Sequence, residues 1–308
     1  MSTLEGAPDA PRQRGRPGDL GRRVAVAGVG VPAVVGLLYA GGWMLGVPLA
    51  LLAAIGALET YRLGGARGVR PFRTPGALVA GAVVLVAVAR PGFAAAAPWI
   101  LGLVGSLTVA TLVAALFLRG PGGAPLEAVA VTLAGALYAG LPVAFVPWLR
   151  ALPVGLGWGE GSSSPWLGTF TVALPLATTW IGDAAAYFAG SAWGRAKLFP
   201  SVSPGKSWVG AWAGVGAAAA VGLVWHAVAT RVLPGLDLSA VGALAVGAAL
   251  GVAAIFGDLT ESLLKREAGV KDSGSLFPGH GGALDRLDAL TATLPLSYVL
   301  LLAAERLG

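Results

Sequence analysis

The chain has 308 residues, of which 56% are hydrophobic and only 12% are charged, and its mean hydropathy is +0.77. A water-soluble globular protein has about 25% charged residues, so this composition excludes a soluble domain and predicts a membrane protein. The absence of cysteine excludes disulfides, thiolate metal sites and thiol nucleophiles, and two histidines argue against a histidine-built metal centre. Any bound metal is therefore expected to have oxygen ligands.

The first 23 residues are rich in arginine, proline and glycine and show no apolar period. They predict a disordered basic tail at the cytoplasmic membrane surface, where each positive charge near anionic lipid contributes about 1 kcal/mol. The net charge of +6 is therefore attributed to the membrane, and no nucleic-acid partner is expected.

Apolar runs fill most of the remaining chain, and a spanning helix needs about 20 mostly apolar residues. The predicted spans are residues 24–40, 43–62, 75–89, 96–118, 126–149, 166–190, 206–230, 238–264 and 284–305. Only Gly41 and Gly42 separate the first two runs, so a helical hairpin and a re-entrant pair are both compatible with them. The pattern predicts an all-α, polytopic integral membrane protein of about nine transmembrane helices.

The distribution of lysine and arginine supports this odd number, because cytoplasmic loops carry most positive charges in membrane proteins. With a cytoplasmic amino terminus, all but four of the 21 positive charges fall on the cytoplasmic side. The four exceptions are Arg90, Arg150, Arg231 and Arg306. The sequence therefore predicts that the amino terminus lies in the cytoplasm.

Residues 258–288 carry an unusual density of charge for so apolar a chain, and such charges commonly mark function. The charged residues of this segment are Asp258, Glu261, Lys265, Arg266, Glu267, Lys271, Asp272, Asp285, Arg286 and Asp288. Helical spacing places Asp258, Glu261, Ser262 and Lys265 on one face at the end of the eighth span. Asp285 lies at the beginning of the ninth span. Two such helices can form an oxygen-rich pocket for Mg²⁺, surrounded by cations that suit a phosphate substrate. The alternative is a set of ion pairs that only anchor the helix ends.

The loop between these two spans contains the turn Gly279-His280-Gly281-Gly282. Glycines allow backbone amides to approach an anion, and the following helix points its amino terminus toward it. We therefore predict that this turn contacts the substrate, with His280 as a hydrogen-bonding residue rather than a general base.

A second polar cluster lies between the sixth and seventh spans. Asp183 interrupts an apolar run, and Ser203 and Pro204 are typical of a helix N-cap and first helical residue. Lys206 and Ser207 would then lie in the first turn of the seventh span, where phosphate oxygens can bind. A simple cap explains the Ser-Pro pair equally well.

The segment SLLKREAGVKDSGSLFPGHGGALDRLD, residues 262–288, resembles the signature of phosphatidate cytidylyltransferases (CDP-diglyceride synthases). Every fixed position of that signature is filled, and the flanking segments GDLTE and DAAAYF are similar to the family's as well. The resemblance covers the carboxy-terminal half, whereas the amino-terminal spans match only in hydrophobicity. The segment SPGKSWVG departs from the family's usual loop at Gly205 and Val209, which replace a lysine and an acid.

The resemblance implies transfer of a cytidylyl group from CTP to phosphatidic acid, giving CDP-diacylglycerol and pyrophosphate. On this interpretation Asp258 and Asp285 are the core Mg²⁺ ligands, Glu261 and Asp288 are further ligands, and a monovalent cation such as K⁺ is compatible beside them. The residues expected to bind phosphate or line the substrate pocket are Lys265, Arg266, Lys271, Arg286, Lys206, Asp183, Ser203, Ser207, Ser262, His280, Gly281 and Gly282.

The same interpretation divides the chain into the tail, amino-terminal membrane helices over residues 24–150, and carboxy-terminal catalytic membrane helices over residues 166–308. It implies a multi-pass protein of the inner membrane with its site facing the cytoplasm. The resemblance is also compatible with a homodimer, for which the sequence marks no interface.

Two other functions remain open at this stage. Intramembrane carboxylates also occur in secondary transporters and channels, but here the charges gather at one side of the membrane and no inverted repeat is evident. A CTP-dependent lipid kinase would use the same metal and nucleotide and would release CDP instead of pyrophosphate.

Overall fold

The computed structural model describes residues 17–159, 162–276 and 281–307. Helix α1 begins at Pro17, a residue that suits the first turn of a helix. Residues 17–23, which we had predicted to belong to a disordered tail, are therefore helical and continue directly into the first apolar run. Residues 1–16 of the predicted tail lie outside the described residues.

Helices dominate the described residues, and each predicted span overlaps one long helix. These are α1 (Pro17–Ala40), α2 (Gly42–Ala66), α3 (Arg73–Ala89), α4 (Phe93–Leu118), α5 (Pro125–Leu156), α6 (Pro165–Trp193), α7 (Trp208–Val232), α8 (Ala240–Glu267) and α10 (Leu290–Leu307). A short helix, α9 (Leu284–Leu287), precedes α10, and Pro121–Gly123 form a single 3₁₀ turn.

Six helical segments are long and apolar enough to cross a membrane by length and composition: α2, α4, α5, α7, α8 and the segment Leu284–Ala304. This confirms the all-α membrane class predicted from the sequence. The full count of nine spans stays a prediction, because α1, α3 and α6 are not among the six segments.

The segment between α6 and α7 differs from the prediction. Strands β1 (Lys197–Phe199) and β2 (Ser203–Ser207) pair antiparallel, so it was wrong to place Ser203 and Pro204 at the start of a helix. Helix α7 begins at Trp208, and its N-cap is Ser207, whose Oγ accepts a hydrogen bond from the backbone N of Gly210 at 3.2 Å. A proline lacking an N–H donor is tolerated in an edge strand, so the Ser-Pro pair is compatible with both structures.

Helices α6, α7 and α8 pack closely through glycines, and small residues allow such close approach in membranes. A Cβ atom at Gly182 of α6 would lie 3.3 Å from the carbonyl oxygen of Gly214 in α7. A Cβ atom at Gly247 of α8 would overlap the carbonyl oxygen of Ala218, which also lies in α7. The close packing holds α6 and α8 against α7, which directly follows the hairpin that carries Lys206.

Contacts between helix ends and loops fall into two groups. At one end of the bundle, the Arg119 guanidinium donates to the carbonyl of Arg70, Arg67 pairs with Glu267 at 4.0 Å, and Arg266 Nε donates to Val202 O at 3.3 Å. At the other end, Arg150 Nε donates to Leu38 O at 2.6 Å, Trp148 Nε1 to Arg90 O at 3.3 Å, and Gly159 N to Pro234 O at 2.7 Å. The first group joins the loops that we predict to be cytoplasmic.

Candidate functional site

The end of α8 and the short helix α9 meet at a buried ion-pair cluster. Lys265 Nζ lies 2.7 Å from Asp285 Oδ1 and 3.0 Å from Glu261 Oε1, one helical turn earlier on α8. The Glu261 side chain is fully buried, and that of Asp285 is 7% exposed. Charges so far from water are stabilised only when they are paired and hydrogen-bonded, so this cluster fixes α9 against α8.

The second oxygen of Asp285 organises the loop between α8 and α9. Asp285 Oδ2 accepts hydrogen bonds from Ser273 N at 2.9 Å, Ser273 Oγ at 2.8 Å and Gly282 N at 2.8 Å. Gly281 adopts a φ of +83° at this turn, a conformation that favours glycine. The anion that the Gly282 amide binds is thus the Asp285 carboxylate, whereas we had predicted that this amide faces the substrate. His280 lies outside the described residues.

Glu59 of α2 is a site residue that the sequence analysis missed. Its side chain is buried, with a relative exposure of 1%. Glu59 Oε1 accepts from Ala283 N at 3.0 Å, and Oε2 accepts from Leu284 N at 2.8 Å and from Ser273 Oγ at 3.0 Å. Glu59 is the single acidic residue between Asp19 and Glu127, which was the one available indication of a special role.

A second, more open cluster surrounds Asp258 of α8. Lys206 Nζ of the hairpin lies 2.6 Å from Asp258 Oδ2, and the two side chains are 25% and 30% exposed. Ser262 Oγ donates to Asp258 Oδ1 at 3.2 Å. The charges of Asp183 on α6 and Asp288 after α9 interact with that of Asp258 and with each other. Asp183 and Asp288 therefore contribute negative charge in the vicinity of the Lys206–Asp258 pair.

The donor chemistry of this region fits a hard divalent cation. As the described side chains are placed, no three acidic or histidine residues converge on one point. Lys206 and Lys265 each pair with one of the two predicted core ligands, Asp258 and Asp285. Within the part of the chain that the structure describes, the buried Glu261 Oε2 has no hydrogen-bond partner. Carboxylate oxygens of this kind suit Mg²⁺, which usually takes only one or two protein carboxylates together with substrate phosphates.

The remaining predicted site residues differ in their exposure and contacts. Arg266 contacts the hairpin through Val202 O, and the side chains of Lys271 and Arg286 are exposed. Ser203 lies in strand β2, half-buried. Ser207 is buried against α6 and caps α7, and its contact with substrate stays a prediction.

Comparison with known proteins gives matches over most of the chain. A family model described as the cytidylyltransferase family matches residues 21–304. A phosphatidate cytidylyltransferase of Synechocystis sp. is 32% identical over 295 residues, which cover 90% of this chain and 94% of that protein. The chloroplastic phosphatidate cytidylyltransferase 5 of Arabidopsis thaliana is 33% identical over 287 residues, 88% of this chain and 69% of that one.

A third relative matches over a shorter region with higher identity. The phosphatidate cytidylyltransferase of Haemophilus influenzae is 44% identical over 131 residues, which cover 42% of this chain and 45% of that protein. This match spans less than half of each chain, whereas the match to the Synechocystis protein extends along nearly all of that protein's length.

Proposed function

Because the chain belongs to the cytidylyltransferase family, we propose that it transfers the cytidylyl group of CTP to phosphatidic acid, forming CDP-diacylglycerol and pyrophosphate. The observation that carries this proposal is the 32% identity to the Synechocystis phosphatidate cytidylyltransferase over 90% of the chain. The proposal is supported by two pairs of acidic and basic side chains, Lys206 of the hairpin with Asp258 of α8, and Lys265 of α8 with Asp285 of α9.

The proposed reaction is an in-line phosphoryl substitution. An oxygen of the lipid phosphate attacks the α-phosphorus of CTP and forms the new P–O bond, while the bond to the β-phosphate breaks and pyrophosphate leaves. The lipid phosphate is already anionic near neutral pH, so no protein nucleophile is required, and catalysis rests on positioning and charge neutralisation. The side chains assigned to the phosphates are Lys206, Lys265, Arg266, Lys271 and Arg286.

We assign Mg²⁺ to Asp258 and Asp285, with Glu261 and Asp288 as additional oxygen donors. A monovalent cation such as K⁺ beside Mg²⁺ is compatible with this assignment. Bound Mg²⁺ would neutralise the charge of the triphosphate. The lysines that now pair with Asp258 and Asp285 would remain close enough to contact the same phosphates.

The proposed site is cytoplasmic, where CTP arrives from water and phosphatidic acid enters from the inner membrane. Asp183 is exposed on α6, and the Lys206–Asp258 pair is partly exposed, which supports an opening toward the bilayer beside α6. A homodimer is compatible with this arrangement. Helix α4 exposes many large apolar side chains, and in a membrane such a surface can contact either lipid or a second copy of the chain.

A product assay tests the proposed function. Purified protein in phosphatidic acid vesicles is given Mg²⁺ and CTP labelled at the α-phosphate. We expect label in a CDP-lipid and release of pyrophosphate, both abolished when EDTA removes the metal. Release of CDP with phosphorylation of a lipid alcohol would instead show a lipid kinase. Solute flux into vesicles without nucleotide turnover would favour a transporter.

A further inference from the structure

Glu59 is a buried carboxylate in the amino-terminal half of the chain to which the proposed chemistry assigns no task. Among the residues that the structure describes, its three hydrogen-bond donors are the amides of Ala283 and Leu284 and the hydroxyl of Ser273, all in the loop and helix start that carry Asp285. These contacts join positions more than 210 residues apart in the chain. A residue of α2 thus holds the segment that carries Asp285, one of the two proposed Mg²⁺ ligands.

The loop fits closely around this carboxylate. A Cβ atom at Gly274 or at Gly282 would overlap the Glu59 carboxylate oxygens, so both glycines allow the backbone to approach it. Burial of a carboxyl group with 1% exposure is costly unless hydrogen bonds satisfy its oxygens, and the three donors among the described residues do so here. The arrangement stabilises a loop conformation that an apolar residue at position 59 could not support.

Ser273 connects Glu59 to Asp285. Its hydroxyl oxygen lies 3.0 Å from Glu59 Oε2 and 2.8 Å from Asp285 Oδ2. A hydroxyl has one proton to donate, so the two acids share this serine, while the Ser273 amide remains bonded to Asp285. The position of Asp285 beside Lys265 therefore depends on a loop that Glu59 holds from the other side.

We propose that Glu59 is a positioning residue of the transferase site: it fixes segments 273–276 and 281–284 so that Asp285 is held against Lys265. This inference rests on the proposed function. Glu59 itself contacts neither reacting group and acts through Ser273, Ala283 and Leu284.

The test compares Glu59→Gln and Glu59→Ala with the wild-type protein in the CDP-lipid assay. Glutamine keeps the size of the side chain but has one acceptor oxygen, and its NH₂ group would face a backbone donor. Loss of a partner that orients a site residue lowers activity by roughly 10- to 100-fold, so we expect kcat to fall by about 10-fold for Glu59→Gln and by about 100-fold for Glu59→Ala. The matched control is Thr60→Val, which removes a buried hydrogen bond to Gly56 within α2 and is expected to leave kcat near the wild-type value.

Two further measurements separate positioning from a general loss of stability. In a double-mutant cycle, Ser273→Ala and Glu59→Gln should reduce kcat by less than the product of their separate effects, because both act on Asp285 through the same loop. Hydrogen exchange at the amides of Ala283 and Leu284 should accelerate in Glu59→Gln and stay unchanged in Thr60→Val.

The outcomes distinguish this inference from the proposed function. If the wild-type protein makes no CDP-lipid, the proposed function fails, and hydrogen exchange still shows whether Glu59 holds the loop. If the wild-type protein is active and Glu59→Gln matches it in both kcat and exchange, the positioning role of Glu59 is wrong. If kcat falls only in proportion to the amount of folded protein, Glu59 is merely structural and the inference is equally overturned.

Discussion

At the scale of single residues, Asp285 depends on both of its oxygens. Oδ1 pairs with Lys265, and Oδ2 accepts from Ser273 and Gly282. Asparagine at this position would direct its NH₂ group at either the ammonium or these donors. A buried donor left facing another donor costs about 1–3 kcal/mol, and more when a charge is involved. Substitution of Asp285 is therefore expected to disturb the buried cluster from both sides.

We predict that Asp285→Asn abolishes CDP-diacylglycerol formation while the protein still inserts into the membrane. The measurement is turnover per amount of membrane-inserted protein. Asp272→Asn is the matched control, because Asp272 is an exposed acid in the same loop and its substitution should leave turnover intact. Near-normal turnover of Asp285→Asn would remove Asp285 from the site.

Lys206 differs from Lys265 because its ion pair with Asp258 is partly open to the surroundings. Partly exposed pairs contribute at most about 1 kcal/mol to stability, so we predict that Lys206→Met changes the thermal unfolding midpoint little. Charge-assisted hydrogen bonds contribute about 1.5–3 kcal/mol, so loss of a phosphate contact should lower kcat/KM for CTP by roughly 10- to 100-fold.

Lys197→Met, at an exposed position of the same hairpin, is the control and should keep wild-type kcat/KM. Equal kcat/KM values for the two variants would contradict the assignment of Lys206.

At the scale of elements, the site depends on how closely α7 and α8 approach each other. A Cβ atom at Gly247 would overlap the Ala218 carbonyl, whereas a Cβ atom at Gly216 of α7 would meet nothing within 4 Å. Overpacking costs about 1–3 kcal/mol, although alanine is the better helix former by about 1 kcal/mol. We predict that Gly247→Ala lowers the thermal unfolding midpoint and the turnover, while Gly216→Ala keeps or raises the midpoint. Identical midpoints for the two variants would show that this helix contact is not close.

The long helices could be predicted because their information is local. Each predicted apolar run overlaps an observed long helix, although some ends differ by as many as seven positions. The spacing of Asp258, Glu261 and Lys265 on one helical face follows from 3.6 residues per turn. The hairpin could not be predicted in the same way. Ser203 and Pro204 match a helix start, and what makes them a strand is pairing with Lys197–Phe199, which no local pattern encodes.

Contacts within the candidate site could be predicted only between residues that are close together in the sequence. Lys265 and Asp285 are 20 residues apart within one dense charged segment, so their convergence follows from two helices and a loop. Glu59 reaches the same cluster across more than 210 residues. A single acidic residue in a hydrophobic run has no neighbouring polar residue whose separation could indicate a common site. Its burial depends on a tertiary contact between segments distant in the sequence.

At the scale of the whole molecule, residues Leu38–Gly308 form one compact unit, in which helix α2 contacts the candidate site through Glu59. The loops after α2, α4 and α6 and the end of α8 share one end of this unit, with the cluster around Lys265. Their arginines and lysines are the charges that we predict to face the cytoplasm. Substrate access from the cytoplasm and the positive-inside pattern therefore both require this end to face inward.

Cysteine accessibility tests this orientation, since the natural chain contains no cysteine and a single introduced thiol reports one position. Ser201 is exposed in the hairpin turn before α7, and Asp237 is exposed in the loop after it. Helix α7 has 25 residues, about 38 Å at 1.5 Å per residue, so the two positions lie at opposite ends of a membrane-length helix.

We predict that, in intact cells, a membrane-impermeant maleimide labels Asp237→Cys and leaves Ser201→Cys unlabelled until the membrane is opened. Both variants should retain CDP-lipid synthesis, because neither side chain belongs to the proposed site, and this activity is the control for correct folding. The reverse labelling pattern would place the charged end of the bundle outside and contradict a cytoplasmic site. Labelling of both positions in intact cells would show that α7 does not span the membrane, and the nine-span topology would then be wrong.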